Sequence, residues 1–223
     1  MTFILLGEFS AKNHPLGGYV RKQHWGRMWG RDHPHESCPQ ELWGLDNGAW
    51  PAYVNGRPFD GERFKRRIEV AVERMRAGSC VVAAVPDIVA GGNESLRFSL
   101  GWLDTCRKLG PRLPWLLVVQ DGMERIKVRK EIRNFDGLFL GGTDEFKKQA
   151  YHFAELAHVH GKKFHYGRAS SVAKLRAALG VGADSLDSAT PVISYSFGLR
   201  SGRERARRWL EIAAGNDPQQ TLF

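Results

Sequence analysis

The chain has 223 residues, of which 42% are hydrophobic and 11% aromatic, and it carries a formal net charge of +9 with a pI near 9.7. The length suits a single domain, since α/β barrels commonly run to about 200–250 residues, and no apolar run approaches the roughly 18 residues of a membrane helix. The chain has three cysteines, Cys38, Cys80 and Cys106, and their wide spacing and odd number argue against a disulfide framework. We therefore expect a cytoplasmic protein with no membrane contact. Its charge favours a polyanion as partner, above all nucleic acid, over a merely basic surface.

Apolar, β-prone runs alternate with amphipathic helical patterns along the chain. The predicted strands are 3–7, 42–46, 80–86, 115–120, 137–141, 163–167 and 184–187, and the predicted helices are 64–76, 94–108, 147–160, 172–179 and 203–213. Such alternation implies parallel strands joined by right-handed crossovers, either closed as a barrel or open as a doubly wound sheet.

The ends of the predicted strands favour the barrel. Nearly every strand is followed by polar residues, such as Asp46, Asp87 and Asp187, and in a barrel these ends surround one mouth, where active sites of this architecture lie. The glycine-rich nucleotide-binding signatures of open sheets are absent from the sequence. The predicted fold class is therefore α/β, a (β/α)8 TIM-like barrel with seven clear strands. Residues 192–197 supply the eighth strand, or else the barrel is incomplete.

Residues 9–40 form a long basic insertion after the first predicted strand and show no helical or strand period. Cations interleaved with aromatic residues could hold phosphates and stack on unpaired bases; the alternative is a surface loop whose tryptophans pack on the barrel. A metal site at His33, His35 and Cys38 is a third interpretation, but the sequence offers no fourth ligand. The helix at 203–213 is a second basic patch or a solvated charged face. The residues predicted to contact nucleic acid are Arg21, Lys22, Arg27, Arg31, Arg168, Arg200 and Arg203.

The strand ending at Asp46 offers a carboxylate and an aromatic ring to a flat heterocycle. Asn47 and Gly48 follow, and then Trp50. Asp46 could accept hydrogen bonds from ring N–H groups or act as a general base while Trp50 stacks on the ring. The alternative is a turn-forming aspartate beside a core tryptophan.

The next strands add further groups suited to a heterocycle. Asp87 lies in an apolar stretch, where an unpaired carboxylate is costly, so we expect it to meet a ligand or an arginine. Gln120 can both donate to and accept from a base edge, or it simply forms a turn. Gly141 and Gly142 let a ligand approach the backbone without side-chain obstruction.

The segment 182–191 carries two carboxylates, Asp184 and Asp187, at the end of a short apolar element. Because they are three positions apart, they face opposite sides of a strand, and only one of them can reach a shared pocket. One is a candidate catalyst and the other a structural support.

In this order on successive strands, the segments resemble those of the queuine and archaeosine tRNA-guanine transglycosylases. The resemblance implies a (β/α)8 barrel that exchanges guanine for a 7-deazaguanine through a covalent aspartyl intermediate, and no cofactor is expected. Residues 46–50 resemble the family's Asp-Ser-Gly-Gly-aromatic segment, 119–122 its Val-Gln-Gly turn, and 182–191 its nucleophile segment. By this register Asp187 is the nucleophile and Asp46 the general acid/base. The residues implied to bind the base are Trp50, Asp87, Gln120, Gly141 and Gly142.

The chain also departs from that family. It lacks the Cys-x-Cys-x-x-Cys run of the family's structural zinc site, and it is much shorter. In both respects it resembles the compact relatives of phage and bacterial DNA-modification systems, which implies DNA as the polymer, a preQ0-like base, and a bacterial or phage-infected cell. Three alternatives stay open: tRNA as the substrate, a barrel hydrolase that uses the same carboxylates on water, and a nucleic-acid-binding barrel without activity. A monomer and a homodimer are both compatible with the sequence.

Overall fold

A computed structural model describes residues 2–7, 9, 12–30, 41–74, 79–197 and 200–217. Eight parallel strands pair in chain order, and β8 pairs with β1 to close a barrel. The strands are β1 (Phe3–Leu6), β2 (Trp25–Trp29), β3 (Leu42–Leu45), β4 (Cys80–Ala84), β5 (Trp115–Val119), β6 (Gly137–Leu140), β7 (Lys163–Tyr166) and β8 (Ser185–Ser188). The predicted (β/α)8 TIM-like architecture is confirmed, and the barrel is complete.

Helices follow most of the strands. They are α1 (Ala49–Val54), α2 (Gly61–Arg74), α3 (Gly92–Leu109), α4 (Arg125–Glu131), α5 (Asp144–Lys147), α6 (Ala150–Val159), α7 (Val172–Gly180), α8 (Thr190–Phe197) and α9 (Arg200–Ala213). The predicted helices correspond to α2, α3, α5 with α6, α7 and α9. Among the described residues we find no helix with the length and apolar character needed to span a bilayer.

The strand that the sequence did not reveal is β2, which lies inside the predicted insertion. Arg27 is the central residue of β2. It is in register with Trp43 of β3, so both side chains point to the same side of the barrel wall. The guanidinium is buried there because it pairs with Glu41 and donates to the carbonyl of Phe9. A cation at a buried strand position breaks the apolar pattern, so the prediction of an irregular insertion over 9–40 is wrong at β2.

Residues 192–197, the alternative source of an eighth strand, belong to α8 instead. Pro191 stands in the first turn of that helix, where its missing N–H costs nothing, whereas a strand ladder would lack a donor there. The helical start therefore decides the conformation of an apolar run that would also suit a strand.

The core has two parts, one outside the barrel and one inside it. Outward-facing strand residues such as Leu45 and Leu117 pack with the helices in one large apolar cluster. Inside, Leu5, Val82 and Leu116 belong to a smaller cluster. The barrel is thus a packed core rather than a pore, and space for a ligand exists only at its end.

Candidate active site

A cavity of about 610 Å³ opens at the carboxyl ends of the strands. It is formed by the segments that follow β3 to β8, so side chains from distant parts of the sequence share it. The structure brings together at this cavity every residue that the sequence nominates for catalysis or base binding: Asp46, Trp50, Asp87, Gln120, Gly141, Gly142 and Asp187.

Asp187 is held through one of its two carboxylate oxygens. His165 Nε2 lies 3.0 Å from Oδ1, and the backbone N–H of Arg168 donates to the same oxygen at 3.1 Å. Among the described residues, no hydrogen bond is made to Oδ2. The other ring nitrogen of His165 lies 2.8 Å from the hydroxyl of Ser185, which fixes the imidazole from behind. One carboxylate oxygen is thus anchored while the other is free to react.

His165 is fully buried, and the sequence analysis did not single it out. Because an ionised carboxylate only accepts hydrogen bonds, the ring proton belongs on Nε2, and the Ser185 hydroxyl can donate to Nδ1. Strand alternation carried a signal, because His165 is in register with Ser185, two residues before Asp187 on the same side of β8. A histidine in a short apolar strand is easily assigned to the core, and for this reason it was missed.

Asp184 stands apart from this centre. Its carboxylate accepts from the backbone N–H of Phe164 at 2.9 Å and from Lys163 Nζ at 3.1 Å, at the start of β7. These bonds hold the pKa of Asp184 below its usual value against the opposing effect of burial. As strand alternation predicts, only one of the two carboxylates of the segment reaches the cavity.

Asp46 faces the same cavity from the end of β3. Its Oδ1 accepts the backbone N–H of Gly48 at 2.6 Å, in a turn where Gly48 has a φ of +81°. Burial raises the pKa of Asp46 above its ordinary value, although the Gly48 hydrogen bond lowers it. The negative charge of Asp187 raises this pKa further, and the cations Arg67 and Arg168 oppose it. The cavity therefore holds two interacting carboxylates, of which Asp46 is biased toward its protonated form.

Asp87 meets two amides rather than the expected arginine. Asn47 Nδ2 donates to Oδ1 at 2.7 Å, and Gln120 Nε2 donates to Oδ2 at 2.8 Å. Burial raises the pKa of Asp87 to about 6, while these two hydrogen bonds lower it and the nearby Asp46 raises it. Among the described residues the amide pair takes the place of the expected arginine, so that part of the expectation is wrong, and Asp87 lines the cavity in which a ligand would lie.

Gln120 is engaged with the protein on both sides of its amide. Besides Asp87, its Nε2 reaches the carbonyl of Ile88 and the hydroxyl of Ser95, both at 2.9 Å, and its Oε1 accepts the N–H of Ala90 at 2.7 Å. The sequence predicted an amide presented to a base edge. In the structure it positions Asp87 and the segment after β4 instead.

Trp50 and Arg168 form a stacked pair across the mouth of the cavity. Trp50 is 44% exposed at the start of α1, and the guanidinium carbon of Arg168 lies 4.2 Å from the centroid of its ring. The same guanidinium donates to the carbonyl of Gly142 at 2.7 Å. Arg168 adopts a φ of +53°, which is uncommon for a residue other than glycine and is often associated with functional sites.

Gly142 cannot be replaced without disturbing the wall of the cavity. Its φ is +73°, and a Cβ atom there would lie 2.6 Å from Asp121 Oδ2 and 2.8 Å from the ring of Phe146. Asp121 uses that oxygen to accept the N–H of Thr143 at 2.7 Å. The expectation that this segment exposes backbone rather than side chain agrees with this geometry.

Lys147 is a second cavity residue that the sequence analysis missed. It is buried, donates to the carbonyl of Gly167, and lies 5.0 Å from the centroid of the Tyr166 ring. Burial lowers its pKa to about 8, and the neighbouring charge of Arg168 acts in the same direction. Lysines on an amphipathic helix are usually solvated, so no pattern in the sequence indicates that this one is buried.

The predicted nucleic-acid contacts that the structure describes differ in their surroundings. Arg168 alone among the described ones lines the cavity. Arg21, Lys22, Arg200 and Arg203 are exposed, whereas Arg27 is buried against Glu41 and cannot reach a polymer, which corrects that prediction. The predicted contact Arg31 and the metal interpretation at His33, His35 and Cys38 lie outside the described residues.

The described residues contain no group of three or more histidine, cysteine, aspartate or glutamate side chains arranged to hold a metal ion. No protein-family model matches the chain, and no curated protein matches it. The case for a function therefore depends on the site itself.

Proposed function

We propose that this protein is a base-exchange transglycosylase that replaces guanine in DNA with a 7-deazaguanine through a covalent intermediate on Asp187. The observation that carries the proposal is the pair of unlike carboxylates in one cavity. Asp187 has one anchored and one unbonded oxygen among the described residues, and Asp46 has a raised pKa. Two carboxylates in different environments suit a nucleophile and an acid/base partner.

In the first step, Oδ2 of Asp187 attacks C1′ of the deoxyribose, and the bond from C1′ to N9 of guanine breaks. The electron pair of that bond goes to the base, which takes a proton from Asp46 as it leaves. Positive charge develops on the sugar during this step, and the carboxylate stabilises and then captures it as an ester.

In the second step, the incoming 7-deazaguanine loses its N9 proton to Asp46 and attacks C1′. The ester bond breaks, Asp187 recovers its carboxylate, and Asp46 returns to its protonated form. The cycle therefore needs no cofactor, because both half-reactions move the same proton in opposite directions.

DNA as the polymer is supported by the net charge of +9 and by the resemblance to compact, zinc-less relatives. A base in duplex DNA has to leave the stack to reach a cavity at the end of a barrel, at a cost of roughly a few kcal/mol. Exposed aromatic rings at the mouth, Trp50 and Tyr53, offer stacking surface that offsets this cost.

The test uses Asp187→Asn, with Asp184→Asn, just before the same strand, as a matched control. DNA and tRNA are each incubated with radiolabelled guanine. We expect the wild-type protein and the control to incorporate label into DNA and to form a denaturation-resistant protein–DNA adduct, and Asp187→Asn to do neither. Undiminished exchange by Asp187→Asn would contradict the role of Asp187. Release of guanine without incorporation would indicate a hydrolase, and label in tRNA alone would change the polymer.

A further inference from the structure

The side chain of Arg168 stands where a flat ligand would stack. Its guanidinium covers the face of Trp50 at 4.2 Å and uses the carbonyl of Gly142 as its acceptor. Both groups line the cavity, so a ring that enters it can stack on Trp50 and donate to this carbonyl. A ligand that uses them has to share them with Arg168 or replace it.

A guanidinium has the same shape and donors as one edge of a guanine-type base. Both are planar, and in both the N–H donors are nitrogens bonded to one central carbon. Arg168 therefore covers the ring of Trp50 and donates to the Gly142 carbonyl, as the amino-lactam edge of such a base would. A ring without an N–H donor could replace the stacking but not the hydrogen bond.

We propose that Arg168 is a specificity-determining residue that the base must displace in order to bind. This inference rests on the proposed function for the class of ligand, a 7-deazaguanine or guanine, but not on the exchange chemistry. A ring displaces the guanidinium only if it both stacks on Trp50 and donates to the Gly142 carbonyl, so Arg168 rejects planar rings that lack the donor.

The surroundings of Arg168 allow such a movement. Its backbone N–H, which holds Asp187, does not depend on where the side chain points. The carboxylates of Asp121 and Asp144 both interact electrostatically with the guanidinium, so a displaced side chain has partners of opposite charge nearby. Displacement can therefore occur without disturbing the anchored oxygen of Asp187.

The first measurement is the affinity of 7-deazaguanine, determined by calorimetry in the absence of DNA. We expect Arg168→Ala to bind it more tightly than the wild-type protein, on the order of tenfold, because the competing contacts are gone. Lys174→Ala is the control, since it removes a positive charge from the same cavity and bonds to Asp144 and Ser170 rather than to Trp50. No tightening is expected there. Weaker binding by Arg168→Ala would show that the guanidinium supports the ring, and the inference would be wrong.

The second measurement is competition by guanidinium ion at low millimolar concentration, with urea as the neutral control. Arg168→Gly is included because glycine accepts the φ of +53° and keeps the N–H to Asp187. Guanidinium ion should weaken the binding of 7-deazaguanine to Arg168→Ala and to Arg168→Gly. It should have little effect on binding to the wild-type protein. Equal effects in all three proteins, or no binding of 7-deazaguanine by any of them, would overturn the inference. Failure of exchange with intact competition would overturn the proposed function alone.

Discussion

Asp87 is a buried carboxylate satisfied by neutral donors, and this makes its charge costly. The amides of Asn47 and Gln120 offset part of the cost of burial, but its pKa still stands at about 6. A nearby cation would compensate the charge more strongly. Asp87 therefore changes its charge in a pH range where exposed aspartates are already ionised.

We expect Asp87 to lower the stability of the protein as the pH rises. The unfolded chain loses this proton near pH 3.8 and the native state near pH 6, so between these values the native state binds more protons. The free energy of unfolding consequently falls through this window, by about 3 kcal/mol for this group, and levels off above it. Asp121, Asp144 and Asp184, whose pKa values are lowered, act in the opposite sense at lower pH.

Urea unfolding of the wild-type protein and of Asp87→Asn at several pH values isolates this contribution. The difference in unfolding free energy, wild type minus variant, should decrease from about pH 4 to about pH 7. A difference that does not change with pH would contradict a raised pKa at Asp87.

His165 should affect the rate of the reaction and not the binding of the base. Its ring packs against Phe139, and its two hydrogen bonds join Ser185 to Asp187, the residue that we expect to react. His165→Leu removes one of the two hydrogen bonds that hold the anchored oxygen, and we expect kcat to fall by roughly a hundredfold, since small misplacements of a reacting group cost about that much. His165→Gln, which keeps an N–H donor, should restore part of the rate. Equal rates in the two variants, or a parallel loss of 7-deazaguanine affinity, would argue for a merely structural residue.

At the scale of single residues, the sequence predicts which side chains reach the cavity better than what they do there. Polar residues after parallel strands converge by topology, so Asp46, Asp87 and Asp187 could be placed from the strand pattern alone. The hydrogen-bond partners of Asp87 could not, because they lie 33 and 40 positions away along the chain and meet it only in space. Gln120 is the clearest case, as its amide satisfies Asp87 and Ala90 in the protein.

At the scale of elements, β2 depends on a buried ion pair. Arg27 and Glu41 are joined by two hydrogen bonds, one of which is 2.8 Å between Arg27 Nη2 and Glu41 Oε2. Both side chains are almost fully buried. Removing one partner takes away the opposite charge that the other meets in the ion pair, whereas removing both takes away both buried charges of the pair. The pair therefore matters for stability chiefly through the penalty of breaking it.

We expect Glu41→Leu to lower the free energy of unfolding by about 3–5 kcal/mol. The double variant Arg27→Met with Glu41→Leu should recover a large part of this loss, because no buried charge remains. Urea denaturation followed by circular dichroism measures both. A single variant as stable as the wild type, or a double variant less stable than the single one, would show that breaking this ion pair does not carry the expected penalty in unfolding free energy.

The same ion pair explains where the prediction of elements stops. Strands β1, β4, β5 and β6 could be recognised because their apolar runs are short, continuous and separated by helical patterns. In β2 the central residue is charged, and the glutamate that neutralises it stands outside the strand, so no local pattern indicates burial. Helix α8 shows the opposite problem. Its apolar run suits a strand as well as a helix, so the run alone does not indicate which of them forms.

At the scale of the whole molecule, closure of the barrel brings the polar residues that follow the strands to one cavity. The segments that carry Asp46 and Asp187 are far apart in sequence, yet they meet because closure places the ends of β3 and β8 around one mouth. The closed architecture could be predicted, because alternating strands and helices leave few topologies. The nature of the polymer is not encoded in the fold, since the same barrel supports many chemistries.

The pairing of β8 with β1 has a consequence for how the protein loses activity. This seam is four residues long, and it is bounded by the bonds from Phe3 N to the Asp184 carbonyl and from Gly7 N to the Ser188 carbonyl. Asp187 lies between these two bonds, so a local opening of the sheet at its first and last strands would remove its support on the β1 side, while β7 still held its anchored oxygen through His165. For the proposed function, the expected result is that activity decreases before the whole barrel unfolds.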